Sequence, residues 1–354
     1  MDIYFSTIVR AAPIYQAGEL VRLNWETKHI EACRPILPDQ PEVDDPHPRG
    51  NTRGGRGITL FGDYILCASW HSLIIYDRNL NEIRRITDPL MADLHEVYLE
   101  DDGTLFVACT ALDAALQIDL GSGKILREYW PRSDPRLQQT LGVEPLIFDR
   151  NDDPRISFVT RNYREEPGHL HINTVSRLDG ETYVLSNKMG TIINIDRGEV
   201  VLHHPALLGA HNLITDEEHF YLSGTTDHRV YAFDRKSGEP AMVIDLTDFP
   251  KLKQMQDRSK APDWQHQLHK LKNTPLRMLK HTPMRRLYYR MGMNKLTPAL
   301  PLFVRGLDIV GDMLFVGFSP ATIASFDRKT GQLIDMYQYS TDVHECIHGL
   351  KVAA

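Results

Sequence analysis

The sequence is short of cysteine: 354 residues contain four, Cys33, Cys67, Cys109 and Cys346. None of them forms a CxxC pair, so neither a disulfide framework nor a zinc ribbon is predicted, and we expect four core thiols. No run of eighteen apolar residues is present, and the first residues lack the basic segment and apolar run of a secretory signal. These absences predict a cytoplasmic protein.

Basic residues are fewer than acidic ones, with 40 Lys and Arg against 47 Asp and Glu. The formal net charge is −7 at pH 7, which argues against nucleic acid as the main partner. Residues 251–297 are the exception, because they hold twelve Lys or Arg against Asp257 and Asp263. We expect this segment to form broken helices that close as a lid over a site for an anionic substrate. An acidic partner surface, a membrane surface and a solvated helical decoration are the alternatives.

A repeated pattern of short apolar strands runs through the chain. Its clearest copy, residues 169–198, has three alternating strands separated by turns at Asp179-Gly180 and at Asp196-Arg197-Gly198. Five copies close on such a turn 21 to 25 residues after their opening residue, and their turn residues are Asp77, Asp119, Asp196, Asp234 and Asp327. This spacing is typical of β-propeller blades.

A sixth copy is divided between the two ends of the chain. Residues 348–354 begin it, residues 2–9 continue it, and residues 18–25 and 28–36 supply the outer strands. We therefore predict an all-β fold, a six-bladed β-propeller formed by residues 1–354 as a single domain, with the terminal strands paired so that no sheet edge stays open. Residues 131–167 form a long loop between blades, predicted to cover the site. The helical insertion 251–297 follows the fourth blade.

The residues that open the blades are expected to share one space, because the innermost strands of a propeller surround a central channel. They are Arg56, His95, His171, His211, Arg305 and His348. The four histidines are predicted to bind one divalent metal ion, with iron(II) as the first expectation and zinc or another divalent metal as the alternative. The two arginines are predicted to bind a carboxylate, sulfate or phosphate of a small anionic substrate.

Three further residues are predicted to take part in catalysis. His169 lies two residues before His171, and His344 lies four residues before His348 in a similar position, so both are expected at the channel mouth. Glu96, next to His95, is expected to orient a ligating imidazole. The sequence His344-Glu345-Cys346-Ile347-His348 matches HExxH, but it is predicted to be a strand, on which residues four apart lie about 13 Å apart.

Residues 93–235 resemble the blades of six-bladed arylsulfotransferases. His171 and Asn173 match the His-x-Asn pair of that family, Lys188 stands where the family has arginine, and His95 and His211 match two other blade-opening histidines. The resemblance implies substrate binding by Asn173 and Lys188 and a sulfuryl-carrying role for His211. Strictosidine-synthase-like and gluconolactonase-type propellers are similar in blade pattern. The four-histidine set is analogous to the iron site of carotenoid cleavage oxygenases, which have seven blades.

These observations leave three hypotheses for function. The first is a metal-dependent enzyme acting on a small anionic substrate in the channel, either an oxidoreductase such as a non-haem iron oxygenase or a metal-dependent lyase. The second is a metal-free transferase that uses a histidine, as the arylsulfotransferase resemblance implies. The third is a propeller that binds a ligand or a protein without catalysis.

Overall fold

The computed structural model describes residues 1–10, 12, 14–37, 54–156, 163–259 and 301–353. Within these ranges the strands form six antiparallel sheets of four strands each. Each sheet is one propeller blade, and the predicted all-β six-bladed propeller is confirmed. We number the strands in chain order and give their bounds below.

The first blade contains β4 (Ile58–Phe61), β5 (Tyr64–Ala68), β6 (Ser72–Asp77) and β7 (Glu82–Thr87). The second contains β8 (Leu94–Leu99), β9 (Thr104–Cys109), β10 (Ala114–Asp119) and β11 (Ile125–Tyr129). The third contains β12 (Ile172–Leu178), β13 (Glu181–Ser186), β14 (Thr191–Asn194) and β15 (Glu199–His203). The fourth contains β16 (His211–Thr215), β17 (His219–Gly224), β18 (Arg229–Asp234) and β19 (Pro240–Asp245). The fifth contains β20 (Leu307–Val310), β21 (Met313–Phe318), β22 (Thr322–Asp327) and β23 (Leu333–Gln338).

The sixth blade joins the two ends of the chain. It contains β24 (Glu345–Ala353), β1 (Asp2–Val9), β2 (Glu19–Asn24) and β3 (His29–Pro35), in that order from the axis outward. β24 pairs antiparallel with β1, for example Leu350 with Phe5. The innermost strands contact one another in the order β4, β8, β12, β16, β20, β24 and back to β4. The ring is therefore closed through the terminal strands, as the divided sixth repeat predicts.

Apolar side chains between neighbouring blades form the core. The second strand of each complete blade is buried almost throughout, whereas the outermost strand is largely exposed. Between the first two blades, for example, Leu73 and Ile75 of β6 pack in one cluster with Leu105 and Val107 of β9. Burial of this kind stabilises a propeller by roughly 25 cal/mol per Å² of apolar surface removed from water, so each blade depends on its neighbours.

The seam between the last and the first blade brings two site residues together. The backbone N–H of Gly349 donates to Ser6 Oγ at 2.9 Å, and Ser6 Oγ donates to the Arg56 carbonyl at 2.7 Å. A Cβ atom on Gly349 would lie 1.9 Å from that carbonyl oxygen, so the close approach requires glycine. The seam therefore fixes the backbone of Arg56 against that of His348.

Helices occur in the connections between blades. The helix Pro135–Leu141 lies in the predicted cover, residues 131–167, and its N-cap Asp134 accepts from the Arg136 N–H. The helix Pro250–Ser259 begins the basic insertion 251–297, whose remainder from residue 260 lies outside the described residues, so the lid stays a prediction. The 3-10 turns are Ile14–Gln16, Thr110–Leu112, Pro131–Ser133, Pro154–Ile156, Tyr163–Glu165, Pro205–Leu207 and Leu246–Asp248. Within the described ranges, no helix is long and apolar enough to cross a membrane.

Candidate metal centre

The four channel histidines lie at irregular points of the innermost strands. The pairing of β8 with β9 skips His95 and Glu96, and the pairing of β24 with β1 skips His348. The starts of β12 and β16 are irregular in the same way, next to His171 and His211. A β-bulge leaves an extra residue unpaired and turns its side chain out of the regular alternation. The skipped residues are the histidines themselves in β8 and β24, and Asn173 and Asn212 in β12 and β16, so each irregularity interrupts the alternation of side chains at or near a channel histidine.

Three of the histidines come together in one cluster. One ring nitrogen from each of His95, His171 and His211 lies within 4.8 Å of the other two. Their ring centroids are 5.8 Å apart for His95 and His171, 6.1 Å for His95 and His211, and 6.4 Å for His171 and His211. All three side chains are buried. Small shifts of the rings would bring these nitrogens to the distance of about 2.1 Å at which imidazole binds a divalent transition metal.

Two of these rings are held in the orientation that a metal ligand needs. His95 Nδ1 lies 3.1 Å from the Asp93 carbonyl and 2.8 Å from Thr110 Oγ1. His211 Nδ1 repeats this arrangement, 3.1 Å from the Gly209 carbonyl and 2.8 Å from Thr225 Oγ1. A carbonyl oxygen can only accept, so in both rings Nδ1 carries the proton and Nε2 has its lone pair free to accept. Metal-binding histidines are oriented by such a bond from the other ring nitrogen.

His211 Nε2 is the clearest sign of a missing partner. This atom is buried and has no hydrogen-bond partner among the described residues. An unsatisfied acceptor of this kind costs about 1–3 kcal/mol, and a metal ion at the centre of the cluster would supply the bond.

Thr225→Val tests the orientation of this ring. Valine keeps the shape of threonine but removes the nearer of the two acceptors for His211 Nδ1–H and leaves the Gly209 carbonyl, so we expect metal affinity to fall about tenfold with little change in the fold. Thr215→Val is the matched control, because its hydroxyl lies on the same strand as His211 and has no hydrogen-bond partner among the described residues. Metal competition against a chelator would measure the difference. Equal affinities of the two variants would contradict the role of Thr225.

The fourth channel histidine lies beside the cluster. The His348 ring centroid is 5.6 Å from that of His95, but its Nε2 accepts from Arg305 Nη1. Arg56 makes a similar approach to His95, with Nη1 3.0 Å from Nδ1 and 3.1 Å from Nε2. The structure thus brings together all six residues that the blade openers predict, although the ring nitrogens that lie within 4.8 Å of one another come from three of the histidines and not from His348.

Burial keeps the channel histidines neutral. It lowers the pKa of His95, His171, His211 and His348 well below the usual value, and nearby arginines lower these pKa values further. A neutral imidazole has the free lone pair that metal binding requires. Burial also lowers the pKa of Arg305 to about 9.

His169, predicted at the channel mouth, is buried beneath the cluster. Its Nε2–H donates to the Thr110 carbonyl at 2.9 Å, and its Nδ1 accepts from the His171 backbone N–H at 3.1 Å. Burial lowers the pKa of His169 to about 2, with Lys188 contributing. Both ring nitrogens are therefore engaged by the protein, and His169 holds the backbone of His171.

His344, the other predicted catalytic histidine, lies away from the cluster. Its side chain is 37% exposed, and its Nδ1 lies 3.3 Å from Asp342 Oδ1. It comes just before the strand β24, so the HExxH sequence is not helical, as expected. Among the described residues, no contact joins His344 to the three-histidine group.

Glu96, Asn212 and Asn173 lie close to the channel histidines in the sequence and form hydrogen bonds of their own. Glu96 Oε1 accepts from Asn212 Nδ2 at 2.9 Å, which links the second and fourth blades. Its partner is thus an amide and not one of the imidazoles that the sequence suggested. Burial raises the pKa of Glu96 to about 8. Asn173 Nδ2 donates to the Ala210 carbonyl at 3.0 Å, while its Oδ1 is buried without a partner in the described chain.

Lys188, which the sequence predicts to bind substrate, contacts two other residues of the chain, Arg164 and His169. Its Nζ donates to the Arg164 carbonyl at 3.1 Å and lies 3.3 Å from His169 Nδ1. It therefore links the long loop to the loop that carries His171.

Two buried aspartates of the site were not found from the sequence. Asp93 Oδ1 lies 3.1 Å from Arg56 Nη1, and Asp93 Oδ2 lies 2.9 Å from Arg164 Nη1. Asp113 Oδ2 accepts from the Leu170 N–H at 2.7 Å and Oδ1 from the Ile172 N–H at 3.3 Å, so it fixes the loop of His171. Burial raises the pKa of Asp113 to about 7. Both aspartates interrupt apolar stretches, MADL and ALDAAL, and that pattern is the signal that could have found them.

No protein-family model matches the sequence, and no curated protein matches it. The structure is similar to that of a protein of unknown function from Bacteroides caccae, with a TM-score of 0.52, 11% identity and 98% of each chain covered. It also matches a computationally designed protein, Ika8, with a TM-score of 0.40 and 9% identity, over 85% of this chain and 65% of that one. At this identity the first likeness shows the fold alone.

Proposed function

We propose that the protein is a metal-dependent enzyme that acts on a small anionic substrate in the central channel. His95, His171 and His211 would bind the metal ion, with iron(II) or zinc as the candidates, because imidazole nitrogen suits both. The observation that carries the proposal is the convergence of three neutral, buried ring nitrogens, two of them with their other nitrogen already hydrogen-bonded. Three ligands leave coordination positions open for substrate and water.

The metal would supply Lewis-acid chemistry or, if it is iron, redox chemistry, so the reaction class is a lyase or an oxidoreductase such as an oxygenase. Arg56 would have to release His95 Nε2 when the metal binds, because its Nη1 lies 3.1 Å from that atom. Arg305 would attract an anionic substrate, whereas Arg56 and Arg164 form ion pairs with Asp93. The burial of the site would strengthen each of these interactions by excluding water.

A second candidate function is group transfer through a histidine without a metal, as in arylsulfotransferases. The contacts that favour it are those of Arg56 with His95 and of Arg305 with His348, because guanidinium groups in the channel can bind the oxygens of a sulfuryl group while a histidine attacks its sulfur and the bond from sulfur to the aryl oxygen breaks, releasing the phenol. His211 would be the nucleophile, as the resemblance implies. A third possibility, a propeller that binds a ligand without catalysis, would need the same channel residues.

Elemental analysis of the anaerobically purified protein tests the first proposal. We expect about one equivalent of a divalent transition metal per chain, and its identity chooses between the reaction classes. Iron would lead to assays of oxygen consumption, and zinc would lead to lyase assays. No metal after reconstitution with iron(II) and zinc would contradict the proposal and favour the histidine-transfer alternative, for which aryl sulfate donors are the first substrates.

The cellular location and the role of the basic insertion also belong to this proposal. All four cysteines are free thiols, which fits a reducing compartment such as the cytoplasm. The insertion 251–297 would cover the anionic substrate, with an acidic partner or a membrane surface as the alternatives.

A further inference from the structure

The arginines around the three-histidine group differ in what neutralises their charge. Arg56 and Arg164 share the carboxylate of Asp93, at 3.1 Å and 2.9 Å. Asp93 is completely buried, and the Arg56 side chain is 4% exposed. A guanidinium held by a buried carboxylate has its charge balanced inside the protein. Because Asp93 already neutralises its charge, Arg56 is a weaker candidate for binding the substrate anion than the sequence predicts.

Arg305 has no such partner. No carboxylate lies within ion-pair distance of it among the described residues, and its Nε is buried without a hydrogen-bond partner there. Its one side-chain hydrogen bond in the described part of the chain goes from Nη1 to His348 Nε2. That ring is a neutral acceptor, so it satisfies one N–H without balancing the charge. A part-buried guanidinium in this condition is costly unless a counter-anion binds to it.

A second arginine, Arg10, lies against the aromatic ring that Arg305 contacts, Phe303. The guanidinium carbon of Arg10 is 4.4 Å from the centroid of Phe303, and that of Arg305 is 5.0 Å from it. Arg10 also lacks a carboxylate partner among the described residues. Arg10 follows β1 of the sixth blade and Arg305 precedes β20 of the fifth, so two positive charges without carboxylate partners in the described chain contact one ring, Phe303, at the junction of these blades.

We propose that Arg305 and Arg10, with His348 of β24, form the subsite for the charged group of the substrate. The group they fit is a doubly charged oxyanion, such as that of a phosphate monoester, because neither guanidinium group forms an ion pair with a carboxylate among the described residues. Arg56 instead acts as a positioning residue that, together with Asp93, holds His95. This assignment rests on the proposed function for its link to catalysis, but the anion subsite can be tested without the reaction.

Calorimetric titration of the protein with inorganic phosphate, with sulfate and with acetate tests the subsite. We expect phosphate to bind at least about tenfold more tightly than acetate, and the affinity to fall about tenfold or more in Arg305→Gln. The phosphate affinity should fall by a smaller factor in Arg10→Gln, which serves as the second variant if Arg305→Gln does not fold. Arg78→Gln is the matched control, because Arg78 is a 61% exposed arginine of the first blade, and it should bind phosphate like the native protein.

Sulfate separates a requirement for two charges from a requirement for a phosphoryl group. Sulfate bound as well as phosphate would support the general dianion site, and sulfate bound much more weakly would restrict it to phosphate. Equal binding of acetate and phosphate would overturn the dianion assignment. Equal phosphate affinity of the native protein and of both the Arg305 and Arg10 variants, or no phosphate binding at all, would overturn the subsite.

The metal content of the same samples separates this proposal from the metal centre. Arg305→Gln should keep its metal, since Arg305 contacts His348 and not the three-histidine group. Arginine-dependent phosphate binding in a metal-free protein would uphold the subsite while the metal proposal fails. A metal-loaded protein with no arginine-dependent phosphate binding would uphold the metal centre while the subsite fails.

Discussion

The variant His95→Ala/His211→Ala is expected to lose nearly all bound metal, from about one equivalent per chain to less than about a tenth. Two of the three converging ligands disappear, and the remaining imidazole of His171 binds a divalent ion far too weakly to retain it through purification. Neither ring belongs to the apolar clusters between the blades, so the propeller should still form. Elemental analysis would measure the loss, and circular dichroism with a thermal melt would confirm the fold.

The matched control replaces two histidines outside the cluster, His219 and His344, whose side chains are 22% and 37% exposed. This variant should keep the metal of the native protein. If a folded His95/His211 variant retained its metal, the ion would lie elsewhere, and the assignment of the cluster would be wrong.

Acid is expected to destabilise the protein steeply between about pH 6.5 and pH 4.5. Five buried histidines, the four of the channel and His169, have a pKa in the folded protein far below that of the unfolded chain. Below about pH 6.5 the unfolded chain therefore binds more protons than the folded one, and each such proton costs about 1.4 kcal/mol per pH unit. Stability that is present above the unfolded histidine pKa is thus lost as the pH falls.

Two carboxyl groups oppose this trend in part. The pKa of Glu96 is raised to about 8 and that of Asp113 to about 7, so the folded protein retains protons on them that the unfolded chain has released. The net uptake on unfolding is then about three protons, and the free energy of unfolding should fall by about 4 kcal/mol per pH unit in this window. Bound metal would act in the same direction, because it needs neutral imidazoles.

Urea unfolding at several pH values, in the native protein and in His211→Asn, would measure this slope. The variant lacks one buried imidazole, so its slope should be smaller by about 1.4 kcal/mol per pH unit. His344→Asn, an exposed control, should match the native slope. A stability independent of pH between 6.5 and 4.5 would contradict the buried neutral histidines.

The propeller could be predicted because its signals are local and repeated. Alternating apolar strands, Asp-containing turns at a regular distance and a repeat divided between residues 348–354 and 2–9 each depend on near neighbours in the sequence. The same regularity predicted the position of Arg56, His95 and the other blade openers around one channel. The structure confirms the fold in its strand order and in the pairing of β24 with β1.

The details of the site depend on contacts that sequence spacing does not encode. His169 and His171 are two residues apart, and strand alternation predicted that both would face the channel. His171 instead has a left-handed backbone with φ 56°, which allows His169 to turn beneath it and bond to its N–H. The partners Asp93 and Asp113 also have left-handed φ values, 54° and 53°, and they reach residues far along the chain. Long-range pairing of this kind is not visible in a single sequence.

The most direct test of the metal centre is an anomalous-difference map from crystals of the native protein, with data collected on both sides of the absorption edge of the metal found by elemental analysis. The three-histidine arrangement predicts one strong peak about 2.1 Å from Nε2 of His95, Nε2 of His211 and a ring nitrogen of His171. A metal-loaded crystal with its peak at another position, or with no peak at the channel axis, would contradict it.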